Sequence, residues 1–245
     1  MTKSSHATQR DLARALRQQA KRTGERSPSV RGADWRLATV TTVNADGTIV
    51  ADDITARRLE SYLLPAVGDV VVLDQNSMGN WLCRGRMATG SDPIGGFRVA
   101  RKTGDTARTS TATQAADPHL SFAVQANAVY LLDGWLKYDA DAAGDITLDW
   151  TIPTGALGEW TGSGASIDTA GAANGYSVQL AATDIDAARS FGGAGAGANL
   201  TIDIKGTLRV AATAGTYALT WAQRVSNGTA TTVYTDSWLR LHRVQ

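Results

Sequence analysis

The sequence predicts a mainly β protein that carries a short N-terminal α-helix, a small five-stranded barrel and a C-terminal antiparallel β-sandwich or jelly roll. Three observations predict this fold class. A helical pattern of apolar residues is confined to residues 8–22. From about residue 34 onward, apolar and polar residues alternate in short runs, which is the period of a half-buried strand. Turn residues separate these runs, and the chain contains 25 glycines.

The composition excludes several classes of protein. Charged residues make up 19% of the chain, below the roughly 25% of an average soluble domain, which argues against a coiled coil and a charge-rich disordered chain. No stretch approaches the roughly 20 apolar residues of a membrane span. Residues 1–22 are polar and basic, so we expect a soluble protein made without a secretory signal. The single cysteine, Cys83, excludes an intrachain disulfide.

The first element, residues 1–33, is predicted to be a basic helix over residues 8–22 followed by a linker that begins at residues 27–29. Residues 1–36 hold nine basic residues and three acids, a net charge of +6, whereas the whole chain carries +1. Thr8 is the expected N-cap, with Asp11 in the first turn. The apolar stripe is too narrow to hold the helix against a core. We therefore expect an anchoring and oligomerisation helix whose assembly residues are Arg10, Leu12, Arg14, Leu16, Arg17 and Lys21.

The second element, residues 34–88, is predicted to be an OB-like barrel. Its first two strands form a hairpin in which Asp46-Gly47 supplies the positive-φ turn. Further strands are predicted at residues 57–62, 70–73 and 81–86. Five strands within 55 residues leave too little chain for two packed sheets, whereas a five-stranded barrel of the OB type fits.

The remaining chain is divided into a connector and a sandwich. Residues 89–118 are rich in Thr, Ser and Gly and contain one predicted strand at 97–103, so we interpret them as an arm between domains. Residues 119–245 show seven or eight alternating runs, which is typical of a β-sandwich or jelly roll. The last run continues to the final residues and is predicted to lie inside its sheet. A Gly/Ala-rich loop at 192–198 joins two of the strands.

The sequence contains few candidate residues for catalysis or metal binding. The three histidines are scattered, and no serine-hydrolase motif is present. Asp139, Asp141 and Asp145 form a weak Ca²⁺ candidate, but no bidentate Glu closes the group, so we favour a solvated loop and predict no metal and no cofactor.

A sugar-stacking site is the other candidate. Glu159 and Trp160 lie in an apparent loop next to Gly162-Ser163-Gly164, where an exposed Trp would stack on sugar rings. A Trp that is buried instead is the alternative. The basic helix has no interleaved aromatic residues, so nucleic acid is not an expected partner.

Several segments resemble proteins of one known class. In the barrel these are WRLATV (35–40), NADGT (44–48), PAVGDVV (65–71) and WLCRGR (81–86). In the second half they are ARKT (100–103), LSFAVQANAVY (120–130), GTY (215–217), LTWAQ (219–223), TATTVY (229–234) and SWLRL (237–241). Over residues 8–245 the chain resembles minor tail proteins of the tail tip or fibre of actinobacterial phages, which combine an OB-like barrel with a C-terminal sandwich.

The resemblance implies a phage virion structural protein, not an enzyme. It implies a homotrimer that is made in the host cytoplasm and lies at the tail tip or in a fibre. The basic helix is then expected to contact other tail or capsid proteins, and the sandwich to face the host cell, with a cell-wall glycan as the expected ligand. No membrane insertion is expected. Two alternatives stay open, a capsid decoration or head-fibre protein and, less favoured, a cell-wall carbohydrate-active enzyme.

Overall fold

The computed structural model describes residues 3–26, 34–76, 78–88, 92–167 and 178–245. The described residues form one helix and eighteen strands. They divide into two compact units, Met1–Thr89 and Gly90–Gln245. This confirms the predicted fold class: mainly β, with an N-terminal helix, a closed five-stranded barrel and further antiparallel sheets.

In the first unit, helix α1 spans Lys3–Arg26. It begins five residues before the predicted N-cap, so Thr8 lies within the helix and does not cap it. The first turn contains no acidic residue. The predicted linker at residues 27–29 lies outside the described residues.

The barrel of the first unit is built from five strands, β1 (Asp34–Val43), β2 (Thr48–Ala51), β3 (Ile54–Arg58), β4 (Val70–Gln75) and β5 (Trp81–Arg86). The strands close in the order β1-β2-β3-β5-β4, and β4 pairs again with β1. All pairs are antiparallel except β3 with β5. The inward positions carry small and medium-sized residues that fit so narrow a barrel, namely Ala38, Val40, Ile49, Ala51, Ala56, Val71, Leu73 and Cys83.

Two tight turns fix the positions of the first three strands of the barrel. The first turn agrees with the prediction, and the second moves the third strand. The predicted hairpin is confirmed, with Gly47 at φ +84° and Asp46 accepting a hydrogen bond from the Thr48 amide at 3.0 Å. The third strand is earlier than predicted, because Asp52 adopts a positive φ of 49° and closes a second tight turn. Tyr62, predicted within that strand, instead covers the core from a turn.

The second unit contains two sheets that share one core. Its strands are β6 (Phe97–Arg101), β7 (Thr106–Arg108), β8 (Ala115–Val124), β9 (Val129–Asp139), β10 (Ile146–Thr151), β11 (Leu157–Ala165), β12 (Val178–Gln179), β13 (Thr183–Asp184), β14 (Arg189–Phe191), β15 (Leu200–Arg209), β16 (Gly215–Ala222), β17 (Thr231–Val233) and β18 (Trp238–Arg243). A four-stranded sheet has the order β14-β10-β16-β8. A larger sheet of nine strands has the path β12-β11-β15-β9-β17-β7, with β13 beside β11 and β18 between β6 and β9.

The segment predicted as a connector, residues 89–118, contributes to this second unit. Strand β6 pairs with β18, β7 pairs with β17, and β8 begins within the segment at Ala115. The strand predicted at 97–103 is confirmed as β6, whereas β7 and the start of β8 lie where the Thr-rich composition shows no apolar alternation and no strand was predicted. The last strand, β18, pairs with a neighbour on each side, so it lies inside its sheet as predicted.

Candidate functional site

Helix α1 presents two chemically different faces. Arg10, Arg14, Arg17 and Lys21 recur at intervals of three and four residues, so at about 100° per residue they form one basic stripe. Leu12 and Leu16 are also four residues apart and lie on the other side of the helix. The helix is thus amphipathic, with an apolar pair opposite a row of cations.

Both faces of the helix are exposed. Residues 9–23 are exposed throughout, and Leu12 and Leu16 keep 60% and 57% of their surface accessible to solvent. Isolated helices gain little stability in water, and most helices in proteins are stabilised by packing of their apolar side. The leucine pair therefore offers an apolar contact to another molecule. The role of these six residues in assembly stays a prediction, since it concerns molecules outside this chain.

Trp160 is not the exposed loop residue of the first interpretation; its side chain is buried, as in the alternative, but it lies in a strand and not in a loop. Trp160 lies in strand β11, is 2% exposed and donates a hydrogen bond from Nε1 to the carbonyl of Ala187 at 3.2 Å. Its ring packs edge-on against Trp150 at a centroid distance of 5.5 Å. The glycines that follow it belong to the same strand and do not form a loop. Trp160 is thus a core residue and cannot stack on a sugar.

Glu159, by contrast, points to the exposed side of β11. It lies opposite Asp184 of β13 and lines a shallow recess of about 230 Å³ with Asp186 and Arg209. Burial raises the pKa of Asp149, and the charge of Asp186 adds to the rise. Within the described residues no group of three or more His, Cys, Asp or Glu side chains is arranged to hold a metal ion.

The three carboxylates of the weak calcium candidate bind protein donors instead of converging on one point. Asp139 and Asp145 are buried and hold the Gly/Ala-rich loop between β14 and β15. This loop is therefore fixed by hydrogen bonds. The donors are the Gly197 amide to Asp139 at 2.7 Å, the Gly193 amide to Asp145 at 2.9 Å, Arg224 to Asp145 at 3.2 Å and the Ala143 amide to Asp141 at 2.9 Å.

Sequence reasoning missed a buried polar network in the second unit. Lys102 and Asp117, both with no exposed side-chain surface, pair at 2.7 Å. Lys102 also donates to Thr106 Oγ1 at 2.8 Å, and Asp117 accepts from Trp221 Nε1 at 3.1 Å. No sequence signal marks this pair, because charged residues in a Thr-rich stretch are ordinarily solvated. The network fixes the segment after β6 to the sandwich core.

Comparisons with known proteins give no family assignment. No family model matches the sequence, and no curated protein matches it. The solved structures similar to the chain include those of the infectious bursal disease virus Gx strain (13% identity, TM-score 0.16) and Gt strain (15% identity, TM-score 0.15), each over 86% of this chain and 60% of the other. The VP2 subviral particle of that virus is similar at 12% identity and a TM-score of 0.16, over 86% and 59%.

The chain thus spans about three-fifths of the length of these solved structures. At such TM-scores the likeness carries no argument about fold or function. Among the described residues, no helix is both long and apolar enough to cross a membrane.

Proposed function

We propose that this protein is a non-enzymatic structural subunit of a phage virion that assembles as a homotrimer through helix α1. One observation carries the proposal: Leu12 and Leu16 are exposed on a helix whose other face is a basic stripe. Packing of the leucine faces of three copies against each other buries apolar surface. The basic stripes then face outward, where acidic surfaces of neighbouring virion proteins attract them.

The position at the tail tip or in a fibre comes from the sequence resemblance. A capsid decoration protein has the same assembly requirement, and labelling the protein on intact virions separates the two positions. Label on the tail supports the tail-tip assignment, and label on the head contradicts it.

Light scattering during size-exclusion chromatography tests the assembly. We expect a mass three times the 25.8 kDa of the chain. Leu12→Glu with Leu16→Glu places acids in the apolar contact and is expected to give a monomer. Gln18→Glu places the same acid on an exposed position away from the leucine face, so it is the matched control and keeps the trimer. A wild-type monomer at high concentration contradicts the proposal.

Release of sugars from actinobacterial cell walls tests the non-enzymatic part. We expect none from the wild-type protein. Release that is lost in Glu159→Gln would contradict the proposal and favour a carbohydrate-active enzyme.

A further inference from the structure

The outer surface of the barrel contains a groove of about 840 Å³. This volume is in the range of about 300–1,000 Å³ that is usual for ligand sites. The groove lies where the start of β1, the outer faces of β3 and β5 and the β4–β5 loop meet. Its main lining residues are Trp35, Arg57, Gln75, Asn80, Trp81 and Arg84.

Two tryptophans give the groove its apolar surface. Trp35 keeps 65% of its surface exposed at the start of β1. Trp81 starts β5, is half-buried and packs partly against the barrel core. An indole face in an open groove is suited to stacking on a flat apolar surface that also carries polar groups at its edge. The C–H face of a pyranose ring is such a surface.

Gln75 supplies an unsatisfied polar atom in the same groove. Its side chain is only 8% exposed, and its Nε2 donates to the carbonyl of Gly79 at 3.3 Å. Within the part of the chain that the structure describes, no donor reaches its Oε1. A buried acceptor without a partner costs free energy, because water no longer solvates it. Because Gln75 lines the groove, a rotation of its side chain toward the groove would let a ligand hydroxyl satisfy this atom.

The described residues of the β4–β5 loop that border the groove, Asn76 and Met78 to Asn80, are held by local hydrogen bonds. The side-chain oxygen of Asn76 accepts hydrogen bonds from the amides of Met78 at 3.0 Å and Asn80 at 2.9 Å. Gly79 has a positive φ of 86°, which closes the turn. Residues held in this way lose little conformational freedom when a ligand binds.

The charges of the groove favour a ligand with few charges. Asp74 forms an ion pair with Arg84, so one of the two lining arginines is already neutralised. The remaining lining is mostly amide, hydroxyl and aromatic. Single-stranded nucleic acid binds to grooves that track several phosphates with several cations, and this lining does not supply them.

We propose that the barrel groove binds an oligosaccharide, with Trp35 and Trp81 stacking on sugar rings and Gln75 Oε1 accepting a hydrogen bond from a sugar hydroxyl. This inference moves glycan recognition from the sandwich, where Trp160 is buried, to the barrel. It does not depend on the oligomeric state of the protein.

Nuclear magnetic resonance of the full chain tests the inference, because its seven tryptophans report through their indole N–H signals. The probes are chitotetraose, cellotetraose, maltotetraose and trigalacturonate at millimolar concentration, with oligo(dT) for comparison. We expect at least one oligosaccharide to shift the Trp35 and Trp81 signals saturably, with the other indole signals unchanged.

Two variants identify the site. Trp35→Ala and Gln75→Leu are each expected to weaken binding at least tenfold. Leu37→Ala, on the same outer face of β1 but outside the groove, is the matched control and keeps full affinity. Protection of the buried Cys83 from a thiol reagent checks that each variant keeps its barrel.

Three results would overturn the inference: no shift with any of the four sugars, equal binding by wild type and both variants, or binding of oligo(dT) that the same variants abolish. None of these results changes the mass expected for the trimer, so failure here is distinct from failure of the proposed assembly.

Discussion

The ion pair between Lys102 and Asp117 is out of reach of water, because neither side chain has exposed surface. Removing two charges from water is costly, and the pair is tolerated because its remaining hydrogen-bonding groups also find partners. Arg108 adds to this region by stacking over the Trp221 ring at 4.2 Å and by donating to the Trp221 carbonyl. The segment that precedes β8 is therefore held by buried polar contacts as well as by strand pairing.

Substituting one member of this pair is expected to be severely destabilising. Lys102→Met leaves Asp117 buried without its cation, and we expect a loss of about 3–5 kcal/mol in the free energy of unfolding. Urea denaturation followed by near-UV circular dichroism measures it. Adding Asp117→Leu removes the orphaned charge, and the double variant should recover part of the loss. A single variant within about 0.5 kcal/mol of wild type, as for a surface substitution, contradicts this account.

Asp149 predicts a pH dependence of stability. Burial raises its pKa above the ordinary 3.8, so the protonated carboxyl is favoured in the folded state. The resulting stabilisation is full below pH 3.8 and is lost as the pH rises through the folded-state pKa. Asp149→Asn stays neutral and keeps an oxygen that accepts from the Trp150 amide, as Asp149 does at 2.7 Å. We expect this variant to be more stable than wild type at pH 7, with the difference vanishing below pH 3.8.

Urea midpoints measured at a series of pH values check this difference. Asp105→Asn is a control of opposite sign in the same unit, because hydrogen bonds from Thr235 lower the pKa of Asp105. That variant is expected to be less stable than wild type at neutral pH. A neutral-pH loss of stability in Asp149→Asn would show that the carboxylate stabilises the fold.

At the scale of elements, strand β11 shows that close packing between two sheets can require glycine inside a strand. A Cβ at Gly162 would come within 2.3 Å of Cζ in the Phe191 ring, and one at Gly164 within 2.9 Å of the same ring. The fully buried Phe191 therefore packs directly against the backbone of β11. These glycines are required by close packing between the two sheets, and neither has a positive φ.

Gly162→Ala is expected to destabilise the second unit by about 1–3 kcal/mol, because the added methyl overpacks the contact with Phe191. Thermal unfolding measures the change. Combining it with Phe191→Leu makes room for the methyl, so the cost of Gly162→Ala should be smaller in that background. Gly228→Ala is the matched control, since a Cβ there meets nothing within 4 Å. Equal effects at positions 162 and 228 would contradict the packing argument.

The strands that sequence analysis identified are those in which side chains alternate. Strand β15 lies in one of the alternating runs, with Leu200, Ile202 and Ile204 on one face. Strand β5 matches the prediction at 81–86 to the residue. Strand β11 was missed, since glycine has no side chain with which to show a period. Because the glycines of β11 hide the alternation, Trp160 was also assigned to a loop.

The barrel groove is a different case, because it depends on pairing between distant parts of the chain. Trp35 lies opposite Asp74, and Trp81 lies opposite Gln75, only once the barrel is closed. Sequence spacing alone does not bring these residues together.

At the scale of the whole molecule, the described residues form two hydrophobic clusters, one in each unit. One cluster lies in the barrel and the other in the two sheets of the second unit. Neither cluster includes a residue of helix α1, whose described side chains are exposed. The helix is therefore expected to contribute to assembly and not to the folding of either β unit.

Removing residues 1–33 tests this separation of roles. We expect the chain from Asp34 to Gln245 to be a folded monomer, because both clusters are retained and the leucine face is lost. Burial raises the pKa of the Cys83 thiol and shields it, so the thiol should stay unreactive in the truncated protein until the barrel unfolds. Light scattering gives the mass, and reaction with a thiol reagent reports on the barrel. A truncated chain that remains trimeric would move the assembly interface to the β units, and one that exposes Cys83 would make the helix part of the barrel fold.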